Sequence, residues 1–152
     1  MKDGNRPDAV AILVLRGAGD DAEVLLLRRA RGAFAGAWTF VMGGVEDGER
    51  GTDAARRELR EETGLTAATL FTAGELDAFY DPVRDRIVHV PFFVAHVPEG
   101  AIVLEQDVHD EHRWVGFAGA EPMLEFASHR RVLDEVRRAF VLREPAPWRA
   151  IP

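Results

Sequence analysis

Apolar residues run unbroken from Ala9 to Leu15 (AVAILVL), a length and texture that predict a short strand buried on both faces. After a turn at Gly17–Asp21, Glu23–Arg29 (EVLLLRR) repeats the texture and predicts a second strand paired with the first. Trp38–Gly43 (WTFVMG) then leads into a glycine-rich acidic stretch. There the period changes. Ala55 and Leu59 recur at helical spacing, Thr52 is placed to cap a helix and Gly64 to stop it in the left-handed conformation. β texture returns over Ala67–Ala73 and Leu76–Tyr80 on either side of Gly74, and again over Ile87–Val97, with Asp81–Arg86 as the intervening turn. Pro91 inside the last run calls for an edge position or a bulge. Ile102–Leu104 reads as one more short strand, Glu105–His112 as a polar loop, and Pro122–Ala127 and Ser128–Leu142 as helices. Strands first, a helix in the middle and helices at the end predict an α/β sandwich.

The 152 residues suit one domain, 1–152, with 1–8 as a loose tail. A net charge of −7 argues against stable binding to nucleic acid or to an anionic membrane. The absence of cysteine removes disulfides and thiolate metal sites. Neither an apolar leader nor a run of membrane-spanning length stands in the chain, so a cytoplasmic protein is expected, as a monomer or homodimer.

The candidate chemistry lies in Gly43–Leu65, GGVEDGERGTDAARRELREETGL. On a helix, Glu58, Glu61 and Glu62 share one stripe beside Ala55 and Leu59, and Ala54 leaves room next to it. A bare ExxEE is compatible with a solvated acidic face. Crowded carboxylates repel, however, and a hard divalent cation such as Mg2+ or Mn2+ relieves the repulsion through oxygen ligands. Glu58 and Glu62, one turn apart, are the expected metal pair, with Glu61 sharing a metal or acting on water.

From Gly43 through Glu49 to Arg57-Glu58-Leu59-Arg60-Glu61-Glu62-Thr63-Gly64-Leu65, the segment resembles at every fixed position the signature of the Nudix hydrolases, GX5EX7REUXEEXGU. The flanking WTFVMGGVEDGE is similar to the pattern of the branch that acts on dihydroneopterin triphosphate, although Met42 stands where many members have proline. The resemblance implies a mixed sheet between helices. It also implies a Mg2+-dependent pyrophosphohydrolase acting on a nucleoside or pterin triphosphate. A nucleoside diphosphate linked to another moiety is the alternative substrate, and a non-catalytic ligand sensor the alternative class. It further implies a metal contact from the Gly43 carbonyl, an orienting role for Arg57 and Glu49, and phosphate or substrate contacts from Arg29 and Arg130. Members often add a carboxylate from a distant loop, in Glu-His ahead of Trp-Val. Here Val108 precedes His109, and Glu111 is taken as the substitute ligand.

Overall fold

The computed structural model describes residues 6–67, 69–98 and 100–152. The first strand, β1 (Ala9–Arg16), is central, and Val10 to Val14 are wholly buried. Its side chains alternate between two cores. Ala11 and Leu13 face one, and Val10, Ile12 and Val14 face the other. Parallel to β1 runs β6 (Arg86–His96), with Ala11 opposite Phe92. On the other side of β1 two strands share its length antiparallel. β4 (Val41–Gly44) pairs Ala9–Ile12, and β2 (Glu23–Arg29) pairs only Leu15 and Arg16. β2 is carried onward by β3 (Trp38–Thr39) on one edge and β7 (His109–Gly116) on the other, and β5 (Thr69–Asp81) completes the sheet beyond β6. The sheet opens where β2 leaves β1, and the short β3–β4 segment bridges the opening.

Helix α1 (Gly51–Thr63) packs Ala54, Ala55 and Leu59 on the face that carries Val10, Ile12, Leu25 and Leu27. Helix α3 (Ala127–Val136) packs Val132, Leu133 and Val136 on the opposite face, with Leu13 and Leu26. This is the expected α/β sandwich with a mixed sheet.

Several local expectations are corrected. Helix α1 begins ahead of Thr52, with Arg50 at the N-cap position and its carbonyl accepting from the N–H groups of Asp53 and Ala54. Gly64 does stop it in the left-handed region, φ 75°. The two strands expected around Gly74 are one, β5, kinked by a register shift between Thr72 and Leu76; this is the irregularity that Pro91 on β6 called for. Ile102–Leu104 is not a strand; Ile102 and Leu104 pack against the α1-side core while Val103 is exposed. The polar run His109–His112 is strand because β2 supplies it with a ladder. The helix expected at Pro122–Ala127 is instead α2 (Phe117–Ala120) and a 3-10 turn, Glu121–Met123. The last helix loosens into a π turn over Arg137–Val141. Of the tail expected at 1–8, residues 1–5 lie outside the described residues. Asp8 is held, its carboxylate accepting from the His89 N–H and the Arg86 guanidinium.

Candidate active site

β4 crosses the acidic stripe of α1 at very close range. Glu58 and Glu62 are 8% and 3% exposed, so this is no solvated face. The Met42 N–H donates to Glu62 Oε2 at 3.3 Å. At Gly43 there is no space for a side chain, since a Cβ there would overlap the Glu58 carboxylate. Gly43 is fixed by its pairing with Val10 on β1, so neither partner can drift aside. The Ala54 methyl is wholly buried in the core and opens no room for a substrate.

Arg57 ties the carboxylates together. Its Nε and Nη2 form a fork onto the two oxygens of Glu49 at 2.8 and 2.9 Å, Nη1 reaches Glu58 at 2.8 Å and Glu61 at 3.2 Å, and Nη2 also reaches the Gly44 carbonyl at 2.9 Å. Held by Arg57 and by the Glu46 N–H, Glu49 has its pKa lowered to about 2. The buried pair behaves oppositely. Burial, reinforced by the Glu58 charge, pushes Glu62 up to about 8, and burial raises Glu58 against the pull of Arg57. Glu61 is exposed on the outer side of the stripe.

The arrangement suits a hard divalent cation. Two desolvated carboxylates one turn apart lie against a backbone that the missing Cβ of Gly43 brings within their reach, an all-oxygen set of the kind Mg2+ or Mn2+ takes. Among the described residues no three His, Asp or Glu side chains form a ready cage, so the Gly43 carbonyl would be an important third oxygen.

Not every expected residue meets this pair. Arg29 does: it ends β2 on the α1 face, and its charge reaches Glu62. Glu111 does not. On β7, Trp114 lies opposite Leu25 on the α1 side, while Arg113 and Glu111 lie opposite Leu26 and Arg28 on the α3 side. There Glu111 pairs with Arg28 at 3.0 Å and with Arg113 at 2.9 Å. The loop carboxylate close enough for its charge to raise both Glu58 and Glu62 is Glu105. The family pattern places its glutamate directly beside the histidine, whereas Glu105 lies four residues ahead of His109 and so carries no signal of its own in the sequence. Arg130 rides on α3, across the sheet from the carboxylates, and its Nη1 donates to the carbonyls of Leu124 and Glu125 at 2.8 and 3.1 Å. His109 is 1% exposed, opposite Arg29 in the ladder, and burial lowers its pKa to about 4.

Known proteins resemble this chain in sequence and fold. The Escherichia coli dihydroneopterin triphosphate pyrophosphohydrolase structure superposes with a TM-score of 0.68 and 26% identity, covering 88% of this chain and 94% of that one. A Myxococcus xanthus protein named octanoyltransferase is 36% identical over 90% of this chain, which is 39% of that protein. The nucleoside triphosphatase NudI of Escherichia coli is 42% identical over 44% of this chain and 48% of its own. The chain thus spans less than half the length of either curated relative. The NUDIX domain family model matches residues 5–136, which include every strand and the whole glutamate-bearing helix. With that match and the buried carboxylate pair set against Gly43, this chain belongs to the NUDIX domain family.

Proposed function

We propose that this chain is a divalent-metal-dependent pyrophosphohydrolase that cleaves a nucleoside or pterin triphosphate to the monophosphate and pyrophosphate. One observation carries the reading: Glu58 and Glu62 are buried together against a glycine whose Cβ the site cannot accommodate. Two carboxylates confined in this way cost stability unless a cation joins them. The name of NudI and of the pterin enzyme, with the extent of their similarity, supports the triphosphate class. The octanoyltransferase name belongs to a protein of which this chain matches 39%, and acyl transfer is not carried over.

Phosphoanhydride hydrolysis requires neutralised phosphoryl oxygens and a water placed in line. Glu58, Glu62 and the Gly43 carbonyl would hold Mg2+, with Glu105 joining from its loop. The ion, when bound, supplies the charge that the phosphoryl oxygens need. Arg57 keeps Glu58 and Glu61 oriented and is itself anchored by Glu49. Glu61, exposed beside the pair, is placed to accept a proton from the attacking water.

Pyrophosphate release should be followed on a panel of nucleoside triphosphates plus dihydroneopterin triphosphate, with Mg2+ and with chelator. Turnover in Mg2+ alone is expected. Glu58→Gln and Glu62→Gln should each cut it roughly 100-fold or more, the scale on which losing one transition-state charge partner slows an enzyme. Near-native turnover in either variant at saturating Mg2+ would remove the pair from the site.

A further inference from the structure

The sheet ends at β5, and only half of that edge is covered. Along residues 70–73 the C-terminal segment lies against it. The Ile151 N–H donates to the Leu70 carbonyl at 2.9 Å, Ala150 stands opposite Phe71, and Arg149 Nη1 donates to the Ala73 carbonyl at 2.6 Å. Past the kink at Gly74 this cover stops, and residues 75–81 have no strand beyond them among the described residues.

The direction of the backbone groups in the open stretch follows from β6. Both the N–H and the carbonyl of His89 are taken by Asp8, on the side away from β5. Ala78 lies opposite His89, so this pair is of the non-hydrogen-bonded kind, and the Ala78 N–H and carbonyl point outward over the edge. By the two-residue alternation those of Leu76 and Tyr80 do the same, and the Leu76 carbonyl accordingly accepts from Arg131 Nη2 at 3.2 Å. The outward groups at 76, 78 and 80 are symmetric about Ala78. A second copy of the strand, antiparallel across a two-fold axis at that residue, would meet them one for one: Ala78 on Ala78, Leu76 on Tyr80. The Leu76 carbonyl has a second lone pair for this.

The side chains fit the same register. Nine large apolar side chains are exposed among the described residues, and five of them, Leu76, Phe79, Tyr80, Val83 and Ile87, belong to the β5–β6 hairpin. Leu76 of one copy would lie across from Tyr80 of the other, with Ile87 beside Tyr80. The hairpin tip would carry Val83 alongside Gly74 of the other copy, where the exposed Trp148 packs. At on the order of 100 Å2 for each half-exposed side chain, these six would hide about 600 Å2 per copy, the lower end of the range for specific complexes. The register also sets Glu75 opposite Asp81, and like charges there would repel. Each brings an arginine, however: Arg131 lies 3.7 Å from Glu75 and Arg84 2.9 Å from Asp81, so each guanidinium would stand beside carboxylates of both copies.

We propose that residues 75–81 of β5 pair with the same residues of a second copy of this chain, joining two sheets across a two-fold axis at Ala78. The C-terminal segment confines the pairing to this half of the edge. The interface uses none of the groups assigned to hydrolysis, so it stands or falls separately from that reading.

Sedimentation equilibrium at micromolar to submillimolar concentrations should show a monomer–dimer equilibrium and nothing larger. Ala78 is exposed, so Ala78→Lys should keep the native Tm. It sets like charges against each other at the axis and should weaken the dimer about 100-fold or more. The chain has no cysteine, so single replacements report the register. Under mild oxidation Ala78→Cys should form a covalent dimer, since facing Cα atoms in such a ladder lie about 5.5 Å apart. Val83→Cys, at the most exposed of these side chains, should not, because its two copies would stand about 30 Å apart. A wild type that stays monomeric throughout would overturn the pairing. So would a dimer as tight in Ala78→Lys as in the wild type, or Val83→Cys crosslinking as readily as Ala78→Cys. If Ala78→Lys lowers Tm strongly, the two cysteine variants decide alone.

Discussion

At Gly43 one missing methyl group decides whether the carboxylates can be where they are. The residue is not needed for its backbone freedom, since its φ is not in the left-handed region; it is needed for space. The sequence pattern marked Gly43 as a place where the backbone could approach an ion. The pressure that the structure shows comes from the Glu58 side chain, which no one-dimensional reading places against residue 43. Gly43→Ala should therefore act on Glu58 alone. The β1–β4 ladder can take an alanine, but the Glu58 carboxylate must leave, breaking its 2.8 Å bond with Arg57. Turnover should fall roughly 100-fold while Tm drops by only a few degrees, about the effect of 1 kcal/mol in a domain of this size. Steady-state kinetics beside a thermal scan would decide, and an alanine variant with wild-type turnover would show that Glu58 does not work from that position.

Among elements, β7 separates what pattern can give from what only pairing can. Helix α1 was legible because its apolar stripe, its glutamates and Gly64 all agree with a period of 3.6 residues. β1 and β2 were legible as continuous apolar runs. His109–His112 is entirely polar, and it becomes strand only because β2 lies alongside. With the bulge between Arg28 and Arg29 unseen, the face of each side chain could not be assigned, and Glu111 was credited with a place on the face it does not share with Glu58 and Glu62. The two glutamates give a direct comparison. Glu105→Gln should lower turnover about 10-fold or more, as losing a supporting metal group does. Glu111→Gln should leave turnover within about twofold and cost only the small amount expected of surface ion pairs, roughly 0–1 kcal/mol. The opposite order of the two effects, measured at saturating Mg2+, would return Glu111 to the site.

At the scale of the whole molecule, the α/β/α layering follows from β1 being apolar on both faces, but the assembly also buries ionisable groups whose protons then control its stability. No helix among the described residues is long and apolar enough to cross a membrane. Glu62 has its pKa raised from 4.5 to about 8 in the folded state. Between those values the native protein keeps a proton that the unfolded chain has lost, so this group makes stability fall as pH rises through that window. His109 and His129 have theirs lowered from 6.5 to about 4. Over that range the unfolded chain binds protons that the native state refuses, and stability rises with pH. Glu49, lowered from 4.5 to about 2, adds stability that is complete above 4.5 and lost toward pH 2. The sum is a maximum near pH 6.5, with an acid limb from the histidines and Glu49 and an alkaline limb from Glu62. Mg2+ competes with the proton on Glu62, so its stabilisation should grow as pH rises and should flatten the alkaline limb. Glu62→Gln should abolish that limb in chelator, exceed the wild type in Tm at pH 8, and lose most of the Mg2+ response. Thermal scans from pH 4 to 9 with Mg2+ and with chelator test each part. A wild-type Tm that is flat from pH 6 to 8 in chelator, or a Mg2+ shift of equal size in Glu62→Gln, would show that the buried pair does not hold its proton and its metal in competition.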